Sequence, residues 1–366
     1  MFTPVPSLVG GLLLSYSTSA LLVTQGRVLG CSGVAHSSIA SAFSWLRGAP
    51  EGTQSSSKSD KKELGPAPAQ ANGWKVAALA GLVSGGVILR FLRPVLEGWT
   101  GDSIFDVFAS ESGGGVGRTL VAGLLVGVGT KMANGCTSGH MLLGLARLSK
   151  RSLAAVLTFF SVALITARLS PSPHPSQPIF RLSSSTSSPS ASALALLLVP
   201  LLLSIPSITY SLPILRRRPN AASCLHAFST GVLFTIGLAL AGMTKPSKVL
   251  SFFYLPLPTP FPAAPGAWDP SLAMVAIGGL LPNAAVWQSV KGWKKPLRGE
   301  KWEVPKGGKV DGKLIVGSAL FGVGWGLSGI CPGPLFAVLG AGIGGLPVLL
   351  FAASMAAGGL AAGGLL

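Results

Sequence analysis

The feature that most limits what this chain can become is a succession of apolar stretches, each about long enough to cross a bilayer. They lie near 7–24, 75–93, 117–133, 152–169, 193–215, 222–243, 270–289, 314–330 and 346–364. A helix needs roughly 20 apolar residues to span hydrocarbon, so about nine transmembrane helices are expected. Only 11% of residues are charged, where a soluble chain carries about a quarter. Gly occurs 49 times. In lipid, where no hydrophobic drive pulls helices together, small residues let backbones pack closely. The chain therefore reads as an all-α polytopic membrane protein whose constant partner is the lipid bilayer. No basic residues precede the first apolar stretch, so it reads as a retained span rather than a cleaved leader.

Four further apolar pieces, near 31–46, 137–148, 246–256 and 333–344, are too short to cross. Each follows a Gly- or Pro-containing break, the pattern of a broken or re-entrant helix. Two stretches read as loops without a core. Residues 48–73 are polar and rich in Pro and Gly, and 170–192 are dominated by Ser and Pro. The net charge of +17 does not point to nucleic acid. Its basic residues gather in short loops (Arg147, Lys150 and Arg151; Arg216 to Arg218; Lys291 to Lys313), as cytoplasmic loops of membrane proteins do.

The breaks recur in order. GRVLGCSGVAHSSIASAF and GVGTKMANGCTSGHMLLG stand in the first half, and LALAGMTKPSKVLSFF and GVGWGLSGICPGPLFAVLG in the second. GVGTKMANGC aligns with GVGWGLSGIC without a gap. With the basic loops on one side, the first and sixth spans run in opposite directions, so the halves form an inverted repeat. That arrangement, with broken helices, is a transporter architecture with its site at the repeat interface. The expected organisation is a first repeat over 1–169, a Ser/Pro-rich loop and linking span over 170–221, and a second repeat over 222–366.

The chemistry is expected at the breaks. Unwound backbone survives in hydrocarbon only where it is buried in protein or lines a cavity. In ANGCTSGH, Gly135, Thr137 and Ser138 interrupt an apolar run, and a short helix starting there would turn its free N–H groups toward a guest anion. Cys136 sits at this break. Its counterpart GICPGP carries Cys331 and Gly333, with Pro332 and Pro334 disrupting the helix. Cys31 marks a third break and Met243 the fourth. Three thiols and a thioether would suit a soft, sulfur-bearing solute. His140 and His36 follow breaks, where each either lines the path or bonds a carbonyl that the break leaves open. Lys245 and Lys248 either draw an anion in or snorkel, Asp269 reads as a helix cap, and Cys224 as structural. Four scattered cysteines make no disulfide framework, and without a CxxC or a His/Cys cluster no metal and no cofactor is expected.

The stretches GLLVGVGTKMANGCTSGHMLLGLARLSKRSLAAVLTF (123–159), FTIGLALAGMTKPSKVLSFF (234–253), WDPSLAMVAIGG (268–279) and KLIVGSALFGVGWGLSGICPGPLFAVLG (313–340) resemble the YeeE/YedE sulfur-transport family. QGRVLGCSGVAHS resembles that family's first element, and the chain looks like a fusion of two half-size proteins. The family commonly has a second cysteine where this chain has Met141, Leu142 and Leu143, and an acidic or amide residue in place of Lys245. The resemblance implies a permease for thiosulfate or a related sulfur-containing ion, handed along by Cys136 and Cys331, with Cys31 a weaker carry-over. The resulting expectation is a permease without enzymatic activity whose partner is a small sulfur-containing anion, thiosulfate first, placed by default in the plasma membrane. The alternatives are a permease for sulfide, sulfite or a selenium compound, a membrane-bound thiol enzyme, and a scaffold without transport. No oligomeric state is implied.

Overall fold

The computed structural model describes residues 2–47, 68–106, 115–170, 218–256, 268–299, 301–305 and 308–364. Twelve helices are found among them: α1 (Pro4–Gln25), α2 (Cys31–Leu46), α3 (Pro68–Thr100), α4 (Gly115–Ala133), α5 (Ser138–Leu145), α6 (Lys150–Leu169), α7 (Pro219–Leu240), α8 (Pro246–Phe252), α9 (Ser271–Val290), α10 (Gly312–Ser328), α11 (Pro332–Ala341) and α12 (Gly345–Ala362). Seven stretches are long and apolar enough to cross a membrane, and α10 with α11, bent by 40° at their break, makes an eighth. The protein is a multi-pass integral membrane protein. The expected ninth span, 193–215, falls outside the described residues, as does all of 171–192. All four expected short pieces are short helices. The expected loop over 48–73 is too long, because its last six residues already belong to α3. Pro68 suits the first turn of a helix, where its missing N–H costs nothing, and the Ala-rich stretch after it favours helix. α3 also runs past Pro94 to Thr100, and there the Glu97 carboxylate accepts from the Ile104 N–H at 3.1 Å and the Ser103 hydroxyl at 2.9 Å.

The two sets of six helices are related by inversion. α1 and α7 lie antiparallel, since Gly10 packs against Gly237 and Ala241 while Gln25 at the far end donates to the Ser223 carbonyl. α4 and α10 are likewise antiparallel, with Gly129 against Gly317 and Gly324 against Ala122. Each of these helices then takes a parallel neighbour from the opposite set. α1 runs with α9 and α7 with α3, while α4 runs with α12 and α10 with α6. Every pairing thus has its image, as an inverted repeat requires.

Small residues make these approaches possible. A methyl group on Gly81 would lie 2.1 Å from the Phe228 carbonyl oxygen, and one on Gly127 would lie 2.1 Å from that of Met355. Buried polar side chains add direction. Asn283 of α9 accepts from Thr18 at 3.1 Å and Ser19 at 2.6 Å on α1, and donates to the Leu142 carbonyl of α5 at 3.3 Å. Thr235 of α7 donates to the Leu82 carbonyl of α3 at 2.9 Å. Such bonds hold a helix in register where lipid offers no competing partner.

The described basic loops gather at one end of the bundle, where α1 finishes. Leu297 and Arg298 donate to the carbonyls of Val23 and Thr24 at 3.0 and 2.7 Å. Arg147 donates to Pro305, and Arg151 pairs with Asp311 at 3.3 Å. Arg27 pairs with Glu303 at 3.3 Å and lies over the Trp74 ring.

Candidate functional site

Four helices stop at breaks, α1 and α4 toward the end of the bundle that carries the basic loops and α7 and α10 toward the other end, and each stops for a local reason. α4 ends at Asn134, whose φ of 58° is left-handed without being glycine. Asn tolerates that conformation, and the next N–H, of Gly135, closes back on the Thr130 carbonyl at 3.0 Å. α7 ends the same way, with Gly242 left-handed and the Met243 N–H bonded to the Leu238 carbonyl at 2.9 Å. Gly26 ends α1 and Gly329 ends α10, both left-handed. After each stop the chain restarts as a short helix, and the first residues of those helices converge.

The convergence is held by hydroxyls. The Cys31 N–H donates to the Ser138 hydroxyl oxygen at 3.0 Å, and that oxygen lies 3.3 Å from Cys136 Sγ. The Thr137 hydroxyl donates to Cys331 Sγ at 3.6 Å, a bond that does not use the Cys331 S–H. A methyl group on Gly333 would touch Cys31 Sγ at 3.2 Å. All three thiols are buried, with 1%, 1% and 4% of their residues exposed.

They surround a narrow cavity of about 20 Å³. Of the nine residues singled out in the sequence, Cys31, Cys136, Cys331, Thr137, Ser138, Met243 and Gly333 line it. Gly135 and His140 do not. A carbonyl can only accept, so His140 Nε2 donates to Ala133 at 3.2 Å and Nδ1 accepts from Ser152 at 3.2 Å. His140 thus braces the break from behind, satisfying a carbonyl that the interrupted helix leaves open. Gly135 is small for the same reason, because any side chain there would meet the His140 ring at 2.7 Å. His36 is outside the cavity lining as well, and its Nε2 bonds the Thr130 hydroxyl of α4 at 2.9 Å rather than an open carbonyl. Cys224 lies on the first turns of α7, beside Gly73 and away from the cavity.

The sequence reading missed the rest of the lining. Met141 brings a second thioether, so five sulfur atoms line the cavity. Leu14, Leu142, Phe234, Leu238 and Val275 supply an apolar wall. The spacing of Phe234 and Leu238, one helical turn apart on α7, puts them on one face. It is hidden because α7 is apolar on every side. α5 itself is wound as a π-helix, a rare form frequent at functional sites. Among the described residues, no group of three or more His, Cys, Asp or Glu side chains could hold a metal ion.

Comparison with known proteins adds a family. The profile of a family described as being of unknown function (DUF6691) matches residues 222–365. A protein of Xylella fastidiosa (strain 9a5c) named "Probable transporter" is 43% identical over 135 residues, covering 36% of this chain and 84% of the relative. Another of that name, from the Temecula1 strain, is 33% identical over 161 residues, covering 44% of this chain and 90% of the relative. No solved structure matches the chain.

Proposed function

Since this chain belongs to the family of those probable transporters, we propose that it is a permease for a small sulfur-containing anion, thiosulfate first among the candidates, working as the YeeE/YedE family that its sequence resembles. The observation that carries the reading is a cavity between the short helices that follow the breaks, lined by Cys31, Cys136 and Cys331 with Met141 and Met243. A soft terminal sulfur matches thiols and thioethers better than it matches hard oxygen donors. Stripping an anion of water is expensive, so several donors must act together. The N-terminal ends of α2, α5 and α11 open toward the cavity and favour negative charge. The anion passes Cys31, Cys136 and Cys331, each S–H turning to its sulfur in turn.

The two sets of helices, within 1–169 and 219–366, act as the two sulfur-transport repeats, the second starting three residues before the boundary expected from sequence. Each relative is matched over most of its own length by less than half of this chain, as expected of a fusion of half-size proteins. A second reading rests on the apolar wall of Leu14, Phe234, Leu238 and Val275, which suits a less hydrated species such as hydrosulfide.

The test is uptake of radiolabelled thiosulfate into proteoliposomes, with sulfate, sulfite and hydrosulfide as competitors. Saturable uptake that resists sulfate is expected. Cys136→Ala and Cys331→Ala should each lower it by about 10- to 100-fold, the worth of a hydrogen bond to a charged group. Full uptake in both variants would sink the thiol mechanism. Competition by hydrosulfide alone would favour the second reading.

A further inference from the structure

Two lysines three residues apart, Lys245 and Lys248, each face an aspartate, and the two pairs are built the opposite way from what stability asks. Lys245 Nζ lies 2.7 Å from Asp102 Oδ2, with side chains 12% and 23% exposed. Lys248 Nζ lies 3.9 Å from Asp269 Oδ2, with side chains only 4% and 1% exposed. A buried pair offsets its desolvation only with close geometry, yet here the close pair is the wetter one. Lys248 does not snorkel to the surface.

The separation is maintained by different anchors on each side. The Lys248 ammonium donates to the Thr3 hydroxyl at the start of α1. Asp269 Oδ1 accepts from the Ser271 N–H at 2.8 Å and from the Ser271 hydroxyl at 2.5 Å, capping α9. Asp269 therefore cannot swing fully onto Lys248 without releasing its own helix. The nearby charges are those of Lys245 and Asp102, already paired with each other.

This group stands beside the sulfur-lined cavity. The Lys248 stem lies along Gly242, where a methyl group would meet Cδ at 2.6 Å, and the next residue, Met243, is cavity wall. Ser271 is one turn, about 6 Å, before Val275, which is also wall. The group sits at the opposite end of α1 from the loop that bonds Val23 and Thr24. An ionisable pair inside a membrane protein and next to its cavity calls for a functional account.

We propose that Lys248 receives the transported anion by ion-pair exchange. This deepens the permease reading and rests on it. The ammonium, with the Thr3 hydroxyl, holds the oxygens of the incoming anion, and the anion displaces Asp269 as the partner of Lys248. Asp269 stays within reach, competes for the ammonium, and drives the anion on toward the thiols. The loose pair is thus a matched competitor: a tight one would refuse the anion, and no carboxylate at all would trap it.

The exchange predicts variants of opposite sign. In proteoliposomes, Lys248→Gln should raise the KM for thiosulfate about tenfold, and Asp269→Asn should lower it about tenfold while slowing turnover, one hydrogen bond to a charged group being lost or gained at the ammonium. Lys248→Arg keeps the charge and should stay within about threefold of wild type. Thermal stabilisation by added thiosulfate in detergent reads affinity without turnover, and should shrink in Lys248→Gln and grow in Asp269→Asn. If KM moves the same way in both variants, or in neither, while wild type transports, the exchange is wrong and the permease reading stands. Wild-type protein that takes up none of the sulfur anions overturns the permease reading, and the exchange with it.

Discussion

The two cysteine breaks share one ungapped sequence pattern but solve the problem of open backbone in a membrane by different means. At the first, after α4, the polar groups are answered by side chains. His140 serves the Ala133 carbonyl, Ser152 serves His140, and Asn283 reaches the Leu142 carbonyl from another helix. At the second, after α10, donors are removed instead. Pro332 and Pro334 have no N–H to satisfy, and Ser328 takes the Ile330 N–H at 3.2 Å. The left-handed residue is Asn134 in one and Gly329 in the other. Symmetry of the backbone therefore does not require symmetry of the chemistry. What both must provide is a thiol at a converging helix start.

The largest effect that separates the two breaks should come from their left-handed residues. A side chain at Gly329 is strained at φ 68°, and its methyl group would lie 2.5 Å from the Pro246 carbonyl oxygen. Gly329→Ala should therefore destabilise by about 2 kcal/mol or more, from left-handed strain plus overpacking. Asn134→Gly places the preferred residue at φ 58° and should move stability by no more than ~0.5 kcal/mol. Melting temperatures in detergent check both. Equal losses at the two positions would mean that the breaks are braced alike.

The bracing itself is the next test. His140→Leu leaves the Ala133 carbonyl and the Ser152 hydroxyl without their partner and should cost about 1–3 kcal/mol. Pro334→Ala at the second break removes backbone stiffness and restores a buried N–H, and should cost about 1–3 kcal/mol. If the proline change costs nothing, the second break does not depend on absent donors.

This contrast also explains what the sequence allowed and what it withheld. The breaks were legible because Gly, Pro and Asn interrupt long apolar runs, and the thiols because they stand at those interruptions. The inverted order followed from counting spans between basic loops. The parallel pairing of α1 with α9 was not legible, because it depends on Gly11 and Asn283 finding partners more than 250 residues away. For His140 the sequence left open whether it lines the path or bonds a carbonyl, because Cys136, four residues earlier, faces the cavity while the His140 ring points to α6. The apolar wall was invisible for another reason: in a membrane helix the lipid-facing and cavity-facing residues have the same character. Asp269 was read as a cap, which it is, but its second oxygen faces a lysine that sequence spacing gave no reason to pair with it.

The smallest effect concerns the far end of α10, away from its break. Asp311 caps that helix, accepting from the Leu314 N–H at 3.0 Å, and it also pairs with Arg151 at 3.3 Å. The Leu314 N–H, and then Arg151, hold its carboxyl below the usual carboxylate range. A depressed carboxyl contributes stability that is fully present above its unfolded value, near pH 4, and that is lost as pH falls through its folded value. The start of α10 should therefore loosen only in acid below about pH 4, which amide exchange at Leu314 would read. Asp311→Asn keeps a cap but has no proton to gain, so its exchange should lack that acid step. The exposure of Asp311 keeps the effect small, and uptake at neutral pH should match wild type. A large loss of uptake in Asp311→Asn would instead tie this end of α10 to the cavity, and the two ends of the helix could no longer be treated as separate.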